Sequence, residues 1–394
     1  MRRGVLARRR AISACACALL AAGLAGCTTG ATTSSVTVSG KTLTVYASLP
    51  QQTADPAQAR DVLDAEQLAL ARLRGQVTSF NINFVPLTAG KPSDHARTAI
   101  ENSNSIAYLG EVDPGTSADS IPITNDQDVL QLSPTDTALE YTQSTPAIAD
   151  TPGKYYKEGH SNYGYTFARV VPSTALEAKA QISEMQSLGV SRLYVADDGS
   201  EYGRAIAAAV KSDAPPAITV SSTQTGADGV FYGASNAAGA AAFFNGVAGT
   251  NPAAKLFGPS ALDNSVFAAA VDAAARRNVY VSAPGFLPAN LTSAGRTFVS
   301  DFKASYGHAP ALGAIFGYET MAALLAALHQ AGSGASDRST VVRDFFKTNN
   351  ASVQGTVLPS YSIRSDGDTT LGPFVFSRFK TGQLVPFKFV QVQG

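Results

Sequence analysis

Polar and apolar residues alternate along this chain in two rhythms that take turns. Short runs rich in β-branched and aromatic residues are followed by stretches whose apolar positions recur every three or four residues. Residues 42–46 predict a strand. Residues 59–74 predict a helix that buries Val62, Leu63, Leu68, Leu70 and Leu73. Residues 79–85, 106–109 and 129–132 predict further strands, with a helix over 95–102 between the first two. This βαβα order predicts a parallel sheet covered by helices.

A second unit begins near Phe167. Thr174 and Glu177 have capping-box spacing, in which the Thr hydroxyl takes a helix N–H and the Glu reaches back to the cap. Ile182, Met185 and Leu188 continue as an apolar stripe, and Gly189 supplies the left-handed residue that ends the helix. Predicted strands at 192–196, 217–220, 230–232, 255–257 and 279–281 are interleaved with helices at 202–211, 237–245 and 265–276. Three helices without intervening strands follow, at 293–306, 314–330 and 338–347. The chain ends as a hairpin, 372–379 and 384–392, turned at Thr381-Gly382.

The start of the chain has neither rhythm. Arg2, Arg3, Arg8, Arg9 and Arg10 precede an uncharged, mostly apolar run over 11–25. A run of about 15 residues fits a signal peptide and is short of the roughly 20 that span a membrane. It ends in Leu24-Ala25-Gly26-Cys27, which resembles the lipobox of bacterial lipoproteins. Residues 1–26 are therefore expected to be a lipoprotein signal peptide. Cys27 is expected to carry the lipid (diacylglycerol and palmitate), and Ser/Thr/Gly-rich residues 27–40 to be a flexible tether. The protein is expected at the extracytoplasmic face of the cell membrane. Arg8-Arg9-Arg10 leaves Sec and twin-arginine export both open.

Removing the signal changes the chemistry. Of three cysteines, Cys15 and Cys17 lie within it, so the mature chain keeps only Cys27. That excludes an internal disulfide, thiol catalysis and a cysteine zinc site. Lys plus Arg equal Asp plus Glu at 30 each, but the signal holds five Arg and no acid, leaving a mature charge of about −5. A mildly acidic chain without a basic patch is not expected to bind nucleic acid. The mature length suits two domains better than one core.

Several runs then resemble, in order, the type 1 periplasmic binding proteins, specifically the leucine/isoleucine/valine receptors of branched-chain amino-acid transporters. They are Ile106-Ala-Tyr-Leu-Gly110 with Thr116-Ser117, Leu132-Ser-Pro-Thr-Asp-Thr137, and Tyr165-Thr-Phe-Ala-Arg-Val-Val-Pro-Ser173. Asp197-Asp-Gly-Ser-Glu-Tyr-Gly203, Phe257-Gly-Pro-Ser260, Gly317-Tyr318-Glu319 and Asp366-Gly367-Asp368 complete the series. The resemblance covers about residues 41–394. It implies an α/β fold of two Rossmann-like lobes joined by a three-segment hinge. Lobe 1 would comprise 41–168 plus 286–358, and lobe 2 169–285 plus 359–394. It implies a monomeric, non-enzymatic solute receptor that closes on a small polar solute, delivers it to an ABC transporter permease, and uses no cofactor. A ligand-sensing or interaction lipoprotein on the same fold is the other reading.

Ligands of open parallel sheets sit beyond the carboxyl ends of the strands. Candidate ligand-binding residues are therefore Gln51, Thr116, Ser117, Asp136, Thr137, Tyr202, Ser235, Ser260, Asp263 and Tyr318, with Ser48, Gln52 and Glu319 as further polar groups. None of the four histidines, His95, His160, His308 and His329, has a His or Cys at metal-ligand spacing, so no metal is expected. No Gly-x-Ser-x-Gly elbow or P-loop occurs, and the adjacent Asp197 and Asp198 give no acid/base geometry. Amino-acid receptors of this family place an acid after Gly-Pro; here Ser260 stands there, and Asp136 adds a negative charge to the lobe 1 loop. Both departures predict that leucine, isoleucine and valine bind weakly or not at all, and that the solute is another small polar or cationic molecule.

Overall fold

The computed structural model describes residues 35–73, 76–77, 79–156, 164–349 and 356–394. The expected signal peptide, the lipid site Cys27, most of the tether and His160 lie outside them.

The first sheet contains β1 (Thr42–Ser48), β2 (Gln76–Val77), β3 (Phe80–Leu87), β4 (Ser105–Leu109), β5 (Leu130–Ser133) and β6 (Phe167–Arg169). Its order is β2-β3-β1-β4-β5-β6, and every pairing is parallel except β2 with β3. β4 and β5 are buried at every position, as parallel strands covered on both faces must be. Helices α1 (Pro56–Arg72), α2 (Pro92–Glu101) and α3 (Ile121–Asp126) belong to this unit.

The second unit starts with α4 (Thr174–Ser187) and contains β7 (Arg192–Asp197), α5 (Glu201–Asp213), β8 (Thr219–Ser221), β9 (Gly229–Gly233), α6 (Ala237–Thr250), β10 (Lys255–Gly258), α7 (Ser265–Ala270), α8 (Ala273–Arg276) and β11 (Val279–Pro284). After α9 (Ser293–Tyr306), α10 (Ala314–Ala331) and α11 (Arg338–Asn349), the chain adds β12 (Pro373–Lys380) and β13 (Gln383–Gln391). These last strands extend the second sheet, ordered β13-β12-β11-β10-β9-β7-β8, by antiparallel pairing to β11. The three late helices instead pack into the first core, through Phe298, Phe302, Phe316, Met321 and Phe345. The chain thus crosses between the sheets after β6, after β11 and before β12.

Close backbone approach explains some small residues. A methyl on Gly317 of α10 would lie 2.5 Å from the carbonyl oxygen of Val62 in α1. One on Gly233, at the end of β9, would lie 2.3 Å from the Gly203 oxygen of α5. Only glycine admits contacts of this kind.

Four expectations need correction. The helix expected over 265–276 is two, broken at Val271-Asp272, where Asp272 starts α8. The capping box at Thr174 does not form. Ser173 is the cap residue, the Thr174 hydroxyl accepts from Leu139 N, and the Glu177 side chain turns inward. The end of the tether is anchored: Val38 is buried, its N–H bonds Ser336 O, and Thr37 pairs with Asp337. Finally, Tyr361, Ile363 and Leu371 lie in the first core, so the third crossing falls just before β12 rather than at 358.

Two of the crossings are riveted together. Arg169, at the end of β6, is fully buried and bonds Asp368 at 2.8 Å. Three further N–H groups donate to Asp136 O, Ala138 O and the Thr142 hydroxyl. Asp368 also accepts from Thr142 Oγ1 and Gln143 Nε2. A buried ion pair held within such a set of hydrogen bonds is the arrangement that offsets its desolvation.

Candidate functional site

The strand orders fix where a site must lie. In the first sheet β1 sits between β3 and β4, and in the second β7 sits between β8 and β9, so connections leave in opposite directions there. Such switch points open a crevice at the carboxyl ends of the strands. The loops after β1 and β4 supply Ala54, Asp55, Asp113 and Thr116. Those after β7, β9 and β10 supply Ser200, Ser235, Ser260 and Asp263. They face one another across a cleft between the lobes. Its narrow waist, about 50 Å³, is also lined by Thr137, Val112, Val171, Pro284 and Phe316. A cavity of about 410 Å³ opens on one side, toward Gly115, Glu140 and Tyr202. Another of about 630 Å³ opens on the other, toward Gln58, Asn264 and Leu312.

The lobes touch at the waist. Thr137 Oγ1 of lobe 1 is 3.5 Å from Ser260 Oγ, and Tyr202 OH is 3.4 Å from the same oxygen. Ser260 is itself held by Glu177, whose carboxylate accepts from Ser260 N at 2.6 Å and Ser260 Oγ at 3.0 Å. Ser282 donates to the same carboxylate. Burial pushes the Glu177 carboxyl up to about 7 against these stabilising bonds. The acid that is missing from the chain after Gly258-Pro259 is thus replaced behind it, on α4, where it steadies the loop.

Of the predicted site residues, Thr116, Thr137, Tyr202, Ser235, Ser260 and Asp263 line the cleft. Four lie elsewhere. Ser117 is fully buried, and its Oγ accepts from Glu111 N. Asp136 is fully buried and accepts from the N–H groups of Gly115, Ser117 and Ala138, so it folds the loop and presents no charge to a ligand. Tyr318 packs edge-on against Phe298 in the first core. Gln51 is exposed, held by its backbone to Gly90. Among the further polar groups, Glu319 is bound by Thr356, Val357 and Tyr361, and Ser48 by His95 and Glu111. Burial pushes the Glu111 carboxyl to about 7.

The sequence reasoning missed Asp55, Asp113, Glu140 and Phe316. Asp55 caps α1, accepting from Ala57 N and Gln58 N at 3.1 Å each. The pattern Asp55-Pro56 before an apolar-periodic run was the available signal. Asp113 accepts from Thr53 Oγ1 at 2.9 Å and Ala54 N at 3.1 Å, tying the two switch-point loops together. Burial raises its carboxyl. Glu140 lies in a single short turn, Leu139–Tyr141, which carries no periodic signal. Burial pushes the Asp263 carboxyl up to about 7, with the charge of Asp55 adding to it. Among the described residues no cluster of His, Cys, Asp and Glu is arranged to hold a metal.

No family model matches the chain, and no curated protein sequence matches it. Solved structures do. A leucine-binding protein from Thermotoga maritima is 18% identical, with a TM-score of 0.69 over 89% of this chain and 99% of that one. A solute-binding protein of an ABC transporter from R. palustris, in complex with benzoate, is 16% identical, with a TM-score of 0.66 over 90% and 98%. The branched-chain amino-acid substrate-binding protein of Streptococcus pneumoniae, in complex with isoleucine, is 15% identical, with a TM-score of 0.67 over 90% and 100%. At these identities the likeness is one of fold.

Proposed function

We propose that this chain, built on the type 1 periplasmic binding protein fold, is an extracytoplasmic solute-binding lipoprotein of an ABC transporter. It captures a small polar solute between its lobes and presents the closed form to a permease. One observation carries this reading above others: both sheets direct their switch-point loops into one cleft, and polar side chains from both lobes meet there at Ser260. Closure around a solute is what such a two-sided site does. The structural neighbours, which include receptors holding isoleucine and benzoate, support the class and differ among themselves in solute.

The reading is of a non-enzyme. The nearest approach to a catalytic grouping is Ser48, with His95 Nδ1 at 2.9 Å and Glu111 Oε2 at 2.5 Å. Its hydroxyl is buried and donates to the carboxylate, so neither the proton acceptor nor the access suits a nucleophile. In this reading Cys27 bears the lipid that keeps the receptor beside its permease.

Two experiments test the proposal. Small-angle scattering with a broad solute panel is expected to show compaction with the bound solute; a bound solute with an unchanged radius of gyration would count against capture by closure. Cys27→Ser is expected to abolish labelling by a fatty-acid probe and release the protein from membranes without altering its melting temperature.

A further inference from the structure

The cleft's own side chains specify the solute further, and this step rests on the receptor reading above. The three cavities share residues and form one passage: Ala54, Asp113 and Pro114 join the first two, and Asp55, Gln58 and Asp263 join the waist to the third. Carboxylates from both lobes line the passage, and among the described residues no Lys, Arg or His does. Three of these acids are answered from within the protein, Asp113 by Thr53 Oγ1 and Ala54 N. Glu201 is paired with Lys154 and Tyr155, and Asp55 spends an oxygen on the first N–H groups of α1.

Glu140 is different. Its side chain is 1% exposed, it lines the 410 Å³ cavity, and its Oε2 has no hydrogen-bond partner among the described residues. The charged groups nearest it in electrostatic effect are Asp136, Arg169 and Glu201. Arg169, the one cation among them, is already committed to Asp368. A buried carboxylate oxygen left in this state is costly, and the cost is relieved by a cation that brings its own N–H donors. Asp113 borders the same cavity and the waist, and Val112 and Phe316 give the waist an apolar wall.

We propose that the cleft binds a small organic amine, its ammonium seated against Glu140 and Asp113 and its hydrocarbon stem passing the waist toward Asp55 and Asp263. A thin, unbranched diamine suits a passage with acids at both ends and a narrow apolar middle. An amino acid or an aromatic acid brings a carboxylate into a passage that offers no cation. A divalent metal would lack a converging ligand set.

Calorimetry on the purified protein with putrescine, leucine and benzoate as probes tests this. Putrescine is expected to bind, with affinity falling as salt rises, and Glu140→Gln is expected to weaken it at least tenfold. If Glu140→Gln does not fold, Asp113→Asn carries the same expectation. Protons should be released on binding, measured as a dependence of the heat on the buffer's ionisation enthalpy; a merely structural Glu140 would not give this. Binding of leucine or benzoate without putrescine overturns the amine assignment and leaves the receptor reading standing. Putrescine binding unaffected by both variants overturns the roles given to Glu140 and Asp113. Failure of all three probes, with no compaction by any solute of a broad panel, overturns both readings.

Discussion

The crossing region and the cleft each bury carboxylates, and they treat them in opposite ways. Asp368 at the crossing meets a guanidinium, a hydroxyl and an amide, and its partner Arg169 makes three further hydrogen bonds. Glu140 in the cleft is as thoroughly removed from water but keeps an oxygen unanswered. A charge used for architecture is neutralised by the chain itself. One kept for a ligand is left for the ligand to complete. The contrast separates Asp136 from Glu140 as well. Both are buried acids of neighbouring loops, but Asp136 is saturated by three backbone N–H groups and belongs with the architecture.

The strongest way to break this comparison is to unpair the crossing. Arg169→Ala leaves Asp368 buried without its cation and should cost about 3–5 kcal/mol, read by urea denaturation. A loss under about 1 kcal/mol would mean that the rivet is decorative.

A second test sharpens the cleft side through pH. Burial raises the Glu140 carboxyl from an ordinary 4.5 to about 7, with Asp136 and Glu201 adding to the rise and Arg169 opposing it. Glu111, Glu177 and Asp263 are also raised to about 7. For such groups the folded state holds protons that the unfolded chain gives up. Their stabilising contribution is complete below the unfolded value and is lost as pH rises through 7. The unliganded protein should therefore melt at lower temperature at pH 8 than at pH 5. Glu140→Gln should flatten that slope and raise the melting temperature at pH 8 by about 2–4 °C. An unchanged slope would place Glu140 in water rather than in the protein.

The smallest expected effect is that of Tyr202→Phe, which removes a hydroxyl that meets Ser260 Oγ, Thr137 and the Ala261 backbone. It should change stability by less than about 1 kcal/mol in a melt while altering solute affinity measurably.

How much of this was legible in the sequence follows from the range of each interaction. α9 was expected over 293–306 and lies at Ser293–Tyr306, because its cap, stripe and terminal Gly307 are local. Gly189 likewise takes the left-handed conformation expected of it. Thr174 and Glu177 have a local signature that a distant demand overrides, since Ser260 and Ser282, some hundred residues on in the case of Ser282, claim the carboxylate. Asp136 was read as a ligand-facing charge because its partners at 115 and 117 come from another loop. Strand ends located the loops of the cleft. They did not say which acid in those loops would be left without a partner, because that depends on every neighbour at once.

The hairpin of β12 and β13 has a consequence for how the protein is made. β11 has one neighbour in β10 and finds its other only in β12, which is synthesised much later. The first core likewise waits for α9 to α11, which arrive after most of the second sheet. Neither half is complete until those later segments have been made, so contacts distant in sequence must close late and slowly. A truncation before residue 373 would therefore leave an open parallel edge at β11, which invites pairing with other chains.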